Sequence, residues 1–185
     1  MGDVVLTPLS QKDVGDIARL LNNKKIWDNI RDYVPHPYGI KDAEQFIERV
    51  SEENPVMTFG IRWNKSLAGV IGFKSQTDVY RKSVEVGYWI GEPYWGKGIA
   101  TQAIRQIVSY GFSTLDINRI FAGAYSHNKA SMKALENCGF QKEGVFRKAV
   151  IKNEVFLDFF ADFFTVEFLV DMVFFGFLER ENDNL

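Results

Sequence analysis

The chain has 185 residues, 46% of them hydrophobic and 25% charged, the profile of an ordinary soluble globular protein long enough for one domain with a proper core. Lysine and arginine number 22 against 24 aspartates and glutamates, and the resulting net charge of −2 argues against a nucleic-acid binder, which carries a basic excess or stripe. A single cysteine excludes an internal disulfide and a cysteine-based metal site, and the two histidines, His36 and His127, lack a zinc spacing.

At the N-terminus, "MGDVVLTPLS" has neither a basic start nor a long apolar run, so no secretory signal is expected and the cytoplasm is the expected location. Gly2 does not make a myristoylation site, because Leu6 stands where Ser or Thr is required. "VVLTPL" reads as a strand, and Ser10 with Asp13 has the spacing of a capping box before Val14, Ile17, Ala18 and Leu21 at helical intervals. "NNKKIWDNIRDYVPHPYG" reads as irregular, with Pro35 and Pro37 breaking any helix. Ala43, Phe46, Ile47 and Val50 mark a second amphipathic helix. "MTFGIRW" alternates as a strand, "NKS" turns the chain, and "LAGVIGF" is its hairpin partner. In "SVEVGYWI", Val84, Val86, Tyr88 and Ile90 face one way and Glu85, Gly87 and Trp89 the other.

"GEPYWGKGIAT" follows, and it opens a helix with Ala100, Ala103, Ile104, Ile107, Val108 and Gly111 on one face. "RIFAGAYS" is the next strand. Asn128 then starts a helix that ends at Cys138, with Gly139 at C′ and Phe140 placed to touch Leu135. Strands complete the chain, and the alternation predicts one α/β domain. Nine of the 16 phenylalanines lie between Phe156 and Phe177, but Asp158, Asp162, Glu167 and Asp171 sit among them. Each acid costs roughly 2.5–3.5 kcal/mol at mid-bilayer, so buried strands or an interface are expected rather than a membrane span. Glu154–Asp158 and Glu167–Asp171 share an E-x-x-x-D frame, readable as an internal repeat or as chance in a biased segment.

The glycine loop admits two readings. As G-x-x-x-x-G-K it approaches a triphosphate-binding loop, but Gly98 occupies the position of the Mg²⁺-holding Ser or Thr, and Pro93, Tyr94 and Trp95 are poor at wrapping a phosphate. Read from Gly96, it sets small residues between a strand and a helix, where backbone N–H groups and the helix dipole receive an anion.

Together, "LTPLSQKDVGDIARLLNN", "KDAEQFIERV", "VEVGYWIGEPYWGKGIATQAI", "HNKASMKALENCGFQKEG" and "VDMVFFGFLERE" resemble, in order, the GNAT superfamily of N-acetyltransferases, within it the ribosomal-protein N-terminal acetyltransferase-like branch. The resemblance implies an α/β (α+β) fold over residues 1–185, a splayed mixed sheet flanked by helices, holding acetyl-CoA in the V between "SVEVGYWI" and "RIFAGAYS". It implies that the pyrophosphate sits on the backbone of Gly96, Lys97, Gly98, Ile99, Ala100 and Thr101, and the pantetheine arm pairs with Trp89 and Ile90. Trp95 replaces the family's Gln or Arg and removes a polar contact, while Lys97 is either a phosphate partner or a surface lysine.

The implied chemistry joins an amine to a thioester without a metal. Glu85 is the implied general base, with a structural strand carboxylate as the alternative, and Ser131 the donor to the departing thiolate, with a plain helix serine as the alternative; Asn128 caps its helix and binds pantetheine or a water. Where relatives carry a late-strand Glu, "KAVIKN" places Val150. Cys138 reads as core, since an acyl-cysteine route needs an activated thiol, and His127 as structural. Trp27, Asp28 and Tyr33, with His36 and Tyr38 nearby, are the candidate acceptor contacts. Asp171, in preference to Asp158, matches the family's terminal-strand Asp, which makes residues 154–166 an insertion over the acceptor pocket or at a subunit interface. The expected acceptor is a small-molecule amine or a peptide N-terminus; neither nucleic acid nor membrane is expected, and a homodimer is compatible. The alternative function is a non-catalytic acyl-CoA-binding module on the same fold.

Overall fold

The structure is a computed structural model and describes residues 2–165. In chain order it contains β1 (Val4–Pro8), a 3₁₀ turn (Gln11–Asp13), α1 (Val14–Leu21), α2 (Lys24–Trp27), α3 (Ile40–Ser51), β2 (Thr58–Trp63), β3 (Ser66–Ser75), β4 (Ser83–Ile90), α4 (Ile99–Thr114), β5 (Arg119–Tyr125), α5 (Lys129–Glu136), β6 (Gln141–Lys152) and β7 (Val155–Thr165). The strands form one sheet in the order β1-β2-β3-β4-β5-β7-β6. Every neighbouring pair is antiparallel except β4 with β5, which run parallel with α4 as the crossover.

Turn chemistry sets the hairpins. Asn64 and Lys65 both hold positive φ, 49° and 70°, as a two-residue loop that pairs Trp63 with Ser66 requires. Asn153 and Glu154, at 51° and 61°, do the same between Lys152 and Val155. Both sheet faces are covered. Ile61, Ile71, Val84, Val86 and Ile120 pack against Ile104, Ile107 and Leu135 on one side, while Leu67 and Val70 pack with Ile17 and Ile47 of α1 and α3 on the other. At Gly111 a Cβ would lie 2.8 Å from Phe73 Cζ, so a side chain there would have to displace the Phe73 ring on which α4 rests. None of the described helices is long and apolar enough to cross a membrane.

One expectation changes. The segment after α1 is not wholly irregular: Asn23 Oδ1 accepts from Lys25 N at 2.9 Å and caps the short α2, a signal present in the sequence but overshadowed by the prolines. The Phe-rich Val155–Thr165 is a strand within the sheet. It is β7, between β5 and β6, with register partners on both sides. Its phenylalanines are strand formers, the adjacent pairs Phe159/Phe160 and Phe163/Phe164 put rings on both faces, and Phe164, opposite Ile120, enters the core beside Phe112 and Phe140. The second E-x-x-x-D segment, including Asp171, lies outside the described residues.

The capping box forms, and it is tied into the sheet. Asp13 is 3% exposed; it accepts from Ser10 N at 2.9 Å and from Arg62 Nη2 of β2 at 2.8 Å. Removing it strands a half-buried guanidinium and frees the helix start. Asp13→Ala should therefore cost about 2–3 kcal/mol, below the range for a fully buried pair because Arg62 is partly solvated. Urea unfolding should show a lower midpoint with an unchanged slope.

Candidate active site

The site begins where two strands part. β4 and β5 pair only from Ser83 to Glu85 and from Arg119 to Phe121. Beyond that, β4 stays paired to β3 as far as Ile90, and β5 stays paired to β7 as far as Tyr125. Their inner edges diverge and open a cleft of about 1500 Å³. Residues 86–90 line one wall, residues 122–125 the other, and residues 96–101 and 128–131 its far end. The inner edges of β4 and β5 are backbone that no longer pairs across the gap, so an extended ligand carrying amides fits between them as a strand would.

At the far end, Gly96 and Gly98 hold φ of 72° and 71°, and Gly98 is the N-cap of α4. A Cβ at either would meet nothing within 4 Å, so conformation and not crowding demands glycine there. The first-turn N–H groups of a sixteen-residue helix are thereby left for an anion, and no acid in that turn offsets the dipole. Trp95 replaces the missing polar contact in its own way: Nε1 donates to Ile90 O at 2.6 Å and fastens the loop to the end of β4. Lys97 donates to Pro93 O at 2.9 Å and lies 4.5 Å above the Trp63 ring, held on an aromatic surface rather than extended into solvent.

At the closed end of the V stands Glu85. Its side chain is 17% exposed and ion-paired with Arg31, from the segment following α2. Tyr125 joins them, its phenol pushed up chiefly by burial, with Arg31 opposing that rise and Asp32, Tyr33 and Glu85 adding to it. Tyr33 also lines the cleft and is largely exposed. Across the V, Asn128 Oδ1 accepts from Ser131 N at 3.1 Å, the expected cap of α5. Ser131 Oγ lies 2.9 Å from the Tyr88 hydroxyl, whose pKa burial pushes up to about 12. Cys138 is buried, donates to Thr101 O at 3.3 Å, and burial pushes its thiol up to about 11. It is a protonated core residue, as its spacing suggested.

Trp27 and Asp28 do not line the cleft. Trp27 Nε1 donates to Val34 O at 2.8 Å, its ring stacks on His36, and Lys152 Nζ sits 3.3 Å from the ring centroid. Lys152 is 3% exposed, and its ammonium is satisfied by Ile30 O at 3.0 Å and by the Asp32 carboxylate. Asp28 is taken up by Lys24 and by Asn153 Nδ2, and the Lys24 hydrogen bond holds its carboxyl below the usual range. These contacts clamp the segment that carries Arg31 and Tyr33 to the β6–β7 turn. Asp158 is likewise occupied, by Arg147 Nη1 at 2.6 Å and Lys148 N at 2.9 Å. Sequence reasoning missed Arg31, Tyr88 and Tyr125. Tyr88 shared its strand face with core valines, and nothing local announced that its hydroxyl reaches α5.

Residues 3–141 match the family described as Acetyltransferase (GNAT) domain. The uncharacterized N-acetyltransferase YoaA of Bacillus subtilis (strain 168) is 37% identical over 164 residues, 81% of this chain and 86% of YoaA. The [ribosomal protein uS5]-alanine N-acetyltransferase of Escherichia coli (strain K12) is 31% identical over 124 residues, 65% of this chain and 63% of that enzyme. The microcin C7 self-immunity acetyltransferase MccE, solved in complex with acetyl-CoA and AMP, superposes with a TM-score of 0.77 at 27% identity, over 89% of this chain and 93% of its own. A cleft between diverging parallel strands, a glycine-capped helix at its far end and these likenesses agree: the chain belongs to the GNAT family and is an acetyl-CoA-dependent N-acetyltransferase.

Proposed function

We propose that the protein transfers acetyl from acetyl-CoA directly to the α-amine of a peptide or protein N-terminus, within a ternary complex. The observation that carries this reading is the Arg31–Glu85 ion pair at the closed end of the V. An α-amine, with pKa near 8, is about one-fifth neutral at pH 7.4; a lysine-type amine, near 10.4, is about one-thousandth neutral. The second needs a free, strong base. The first needs only orientation and a place for a departing proton. A carboxylate already engaged by a guanidinium suits the lesser demand. The relative that acetylates an alanine of ribosomal protein uS5 points to the same class.

In this reading the N–H groups at the start of α4 hold the pyrophosphate, and the edges of β4 and β5, at Trp89 and Ile90 and opposite them, hold the pantetheine amides. The amine approaches past Tyr33 and Arg31, and Glu85 accepts its proton directly or through a water. Ser131 donates to the sulfur as the C–S bond breaks, and the amide of Asn128 steadies the arm. Coenzyme thiols have pKa near 8.5, so a hydrogen bond to sulfur assists departure without a strong acid.

Four outcomes test the proposal. Acetyl-CoA and CoA, at a hundred times Kd, should stabilise the fold by about 2.7 kcal/mol in a thermal melt, whereas Mg-ATP should not shift it. Glu85→Gln should lower kcat about a hundredfold with N-terminal peptides while acetyl-CoA affinity stays within twofold; an unchanged kcat removes Glu85 from proton transfer. For the parent enzyme, kcat/KM should climb with pH and level off near 8, the α-amine value, rather than rise toward 10. Cys138→Ala should keep turnover within twofold and cost about 1–2 kcal/mol of stability, and loss of transfer in that variant would favour an acyl-cysteine route instead.

A further inference from the structure

We infer that Tyr88 is a positioning residue for thiolate departure: its hydroxyl, bridging from β4 to the first turn of α5, donates to Ser131 Oγ and so directs the serine proton at the sulfur. The inference rests on the proposed transfer reaction and extends it from the serine on α5 to a residue on β4. Three features of the geometry carry it.

First, Tyr88 belongs to the part of β4 that no longer pairs with β5, and its side chain crosses the cleft face to reach α5. Both residues line the same cavity. Second, the donors and acceptors are limited. The Tyr88 hydroxyl has Ser131 Oγ at 2.9 Å and Ser131 O at a long 3.4 Å. A serine hydroxyl has one proton and two lone pairs. When negative charge develops on the sulfur, the serine proton turns to it, and Oγ is left as an acceptor that the tyrosine O–H fills. Donation into Oγ polarises the serine O–H and strengthens the bond it makes. Third, burial keeps the phenol protonated, with a pKa pushed up to about 12, far above the value near 8.5 of a coenzyme thiol. Tyr88 therefore holds its proton as sulfur departs; it is a hydrogen-bond donor and not an acid.

Atoms balance without a contribution from the pair. The N–C bond forms, the C–S bond breaks with its electrons to sulfur, and the proton shed by nitrogen ends on sulfur or in solvent. Tyr88 and Ser131 finish as they began.

The test uses the full chain with Tyr88→Phe, Ser131→Ala and the double variant. Phenylalanine keeps the ring that packs on the core, so folding is retained. The first readout needs no acceptor: the ultraviolet thiolate band of bound CoA is followed against pH, with the coenzyme-free protein subtracted. Cys138 is the one protein thiol, and its pKa of about 11 leaves the window between pH 6 and 9 to the coenzyme. A donor to the thiolate lowers its pKa. The bound thiol should titrate below 8.5 in the parent, and each single variant should move it back up, the double no further than Ser131→Ala. The second readout is turnover: Tyr88→Phe should lower kcat about tenfold with KM for acetyl-CoA within twofold, and should add little in the Ser131→Ala background. A Phe variant whose bound thiol titrates as the parent does, or losses that multiply in the double variant, would overturn the inference alone. A parent protein that fails to bind CoA would overturn the transfer reading and this inference together.

Discussion

Three residue pairs hold β4 to β5, and the site exists because the ladder stops there. Each strand keeps its outer antiparallel partner well past that point, so the divergence costs no outer pairing and leaves two backbone edges facing each other across open space. Unpaired edges inside a protein are ordinarily a liability, since each N–H and C=O without a partner costs free energy. Here they face an open cleft and remain free to pair with an extended ligand that carries amides of its own. Everything else at the site is placed by this geometry: Glu85 at the apex, the glycine turn where β4 ends, and Ser131 where β5 gives way to α5.

The far end of the cleft presents backbone at a glycine turn and a helix start. Gly96 and Gly98 take left-handed conformations that let the chain turn from Ile90 into α4, and the helix start then faces the cleft with no carboxylate beside it. Trp95 and Lys97, the two polar side chains in the turn, are committed elsewhere, to Ile90 O and to Pro93 O with the Trp63 face. Their bonds stiffen the turn, and a turn fixed before a ligand arrives loses less entropy on binding.

The wall of the cleft beside Glu85 depends on a buried cation. Lys152 would be costly without partners, but the Ile30 carbonyl, the Asp32 carboxylate and the Trp27 ring together offset its desolvation. That cluster joins the end of β6 to the segment after α2, more than a hundred residues earlier in the chain, and so delivers Arg31 to Glu85.

Local patterns in the sequence determined most of the fold. The period-two run of "SVEVGYWI", the helical face from Ala100 to Gly111, the Ser10–Asp13 box and the Asn128 to Gly139 helix all formed where their spacing put them, because each is decided by neighbours within a few residues. The glycine turn was readable too, since left-handed backbone at a helix start has few solutions other than glycine. Long-range placement could not be read this way. That the phenylalanine-rich Val155–Thr165 lies inside the sheet depends on register with β5 and β6, and a biased composition hides register. The pairing of Arg31 with Glu85, the burial of Lys152 under Trp27 and the meeting of Tyr88 with Ser131 join residues 43 to 125 positions apart, and only the folded sheet and its flanking helices bring them within hydrogen-bond reach.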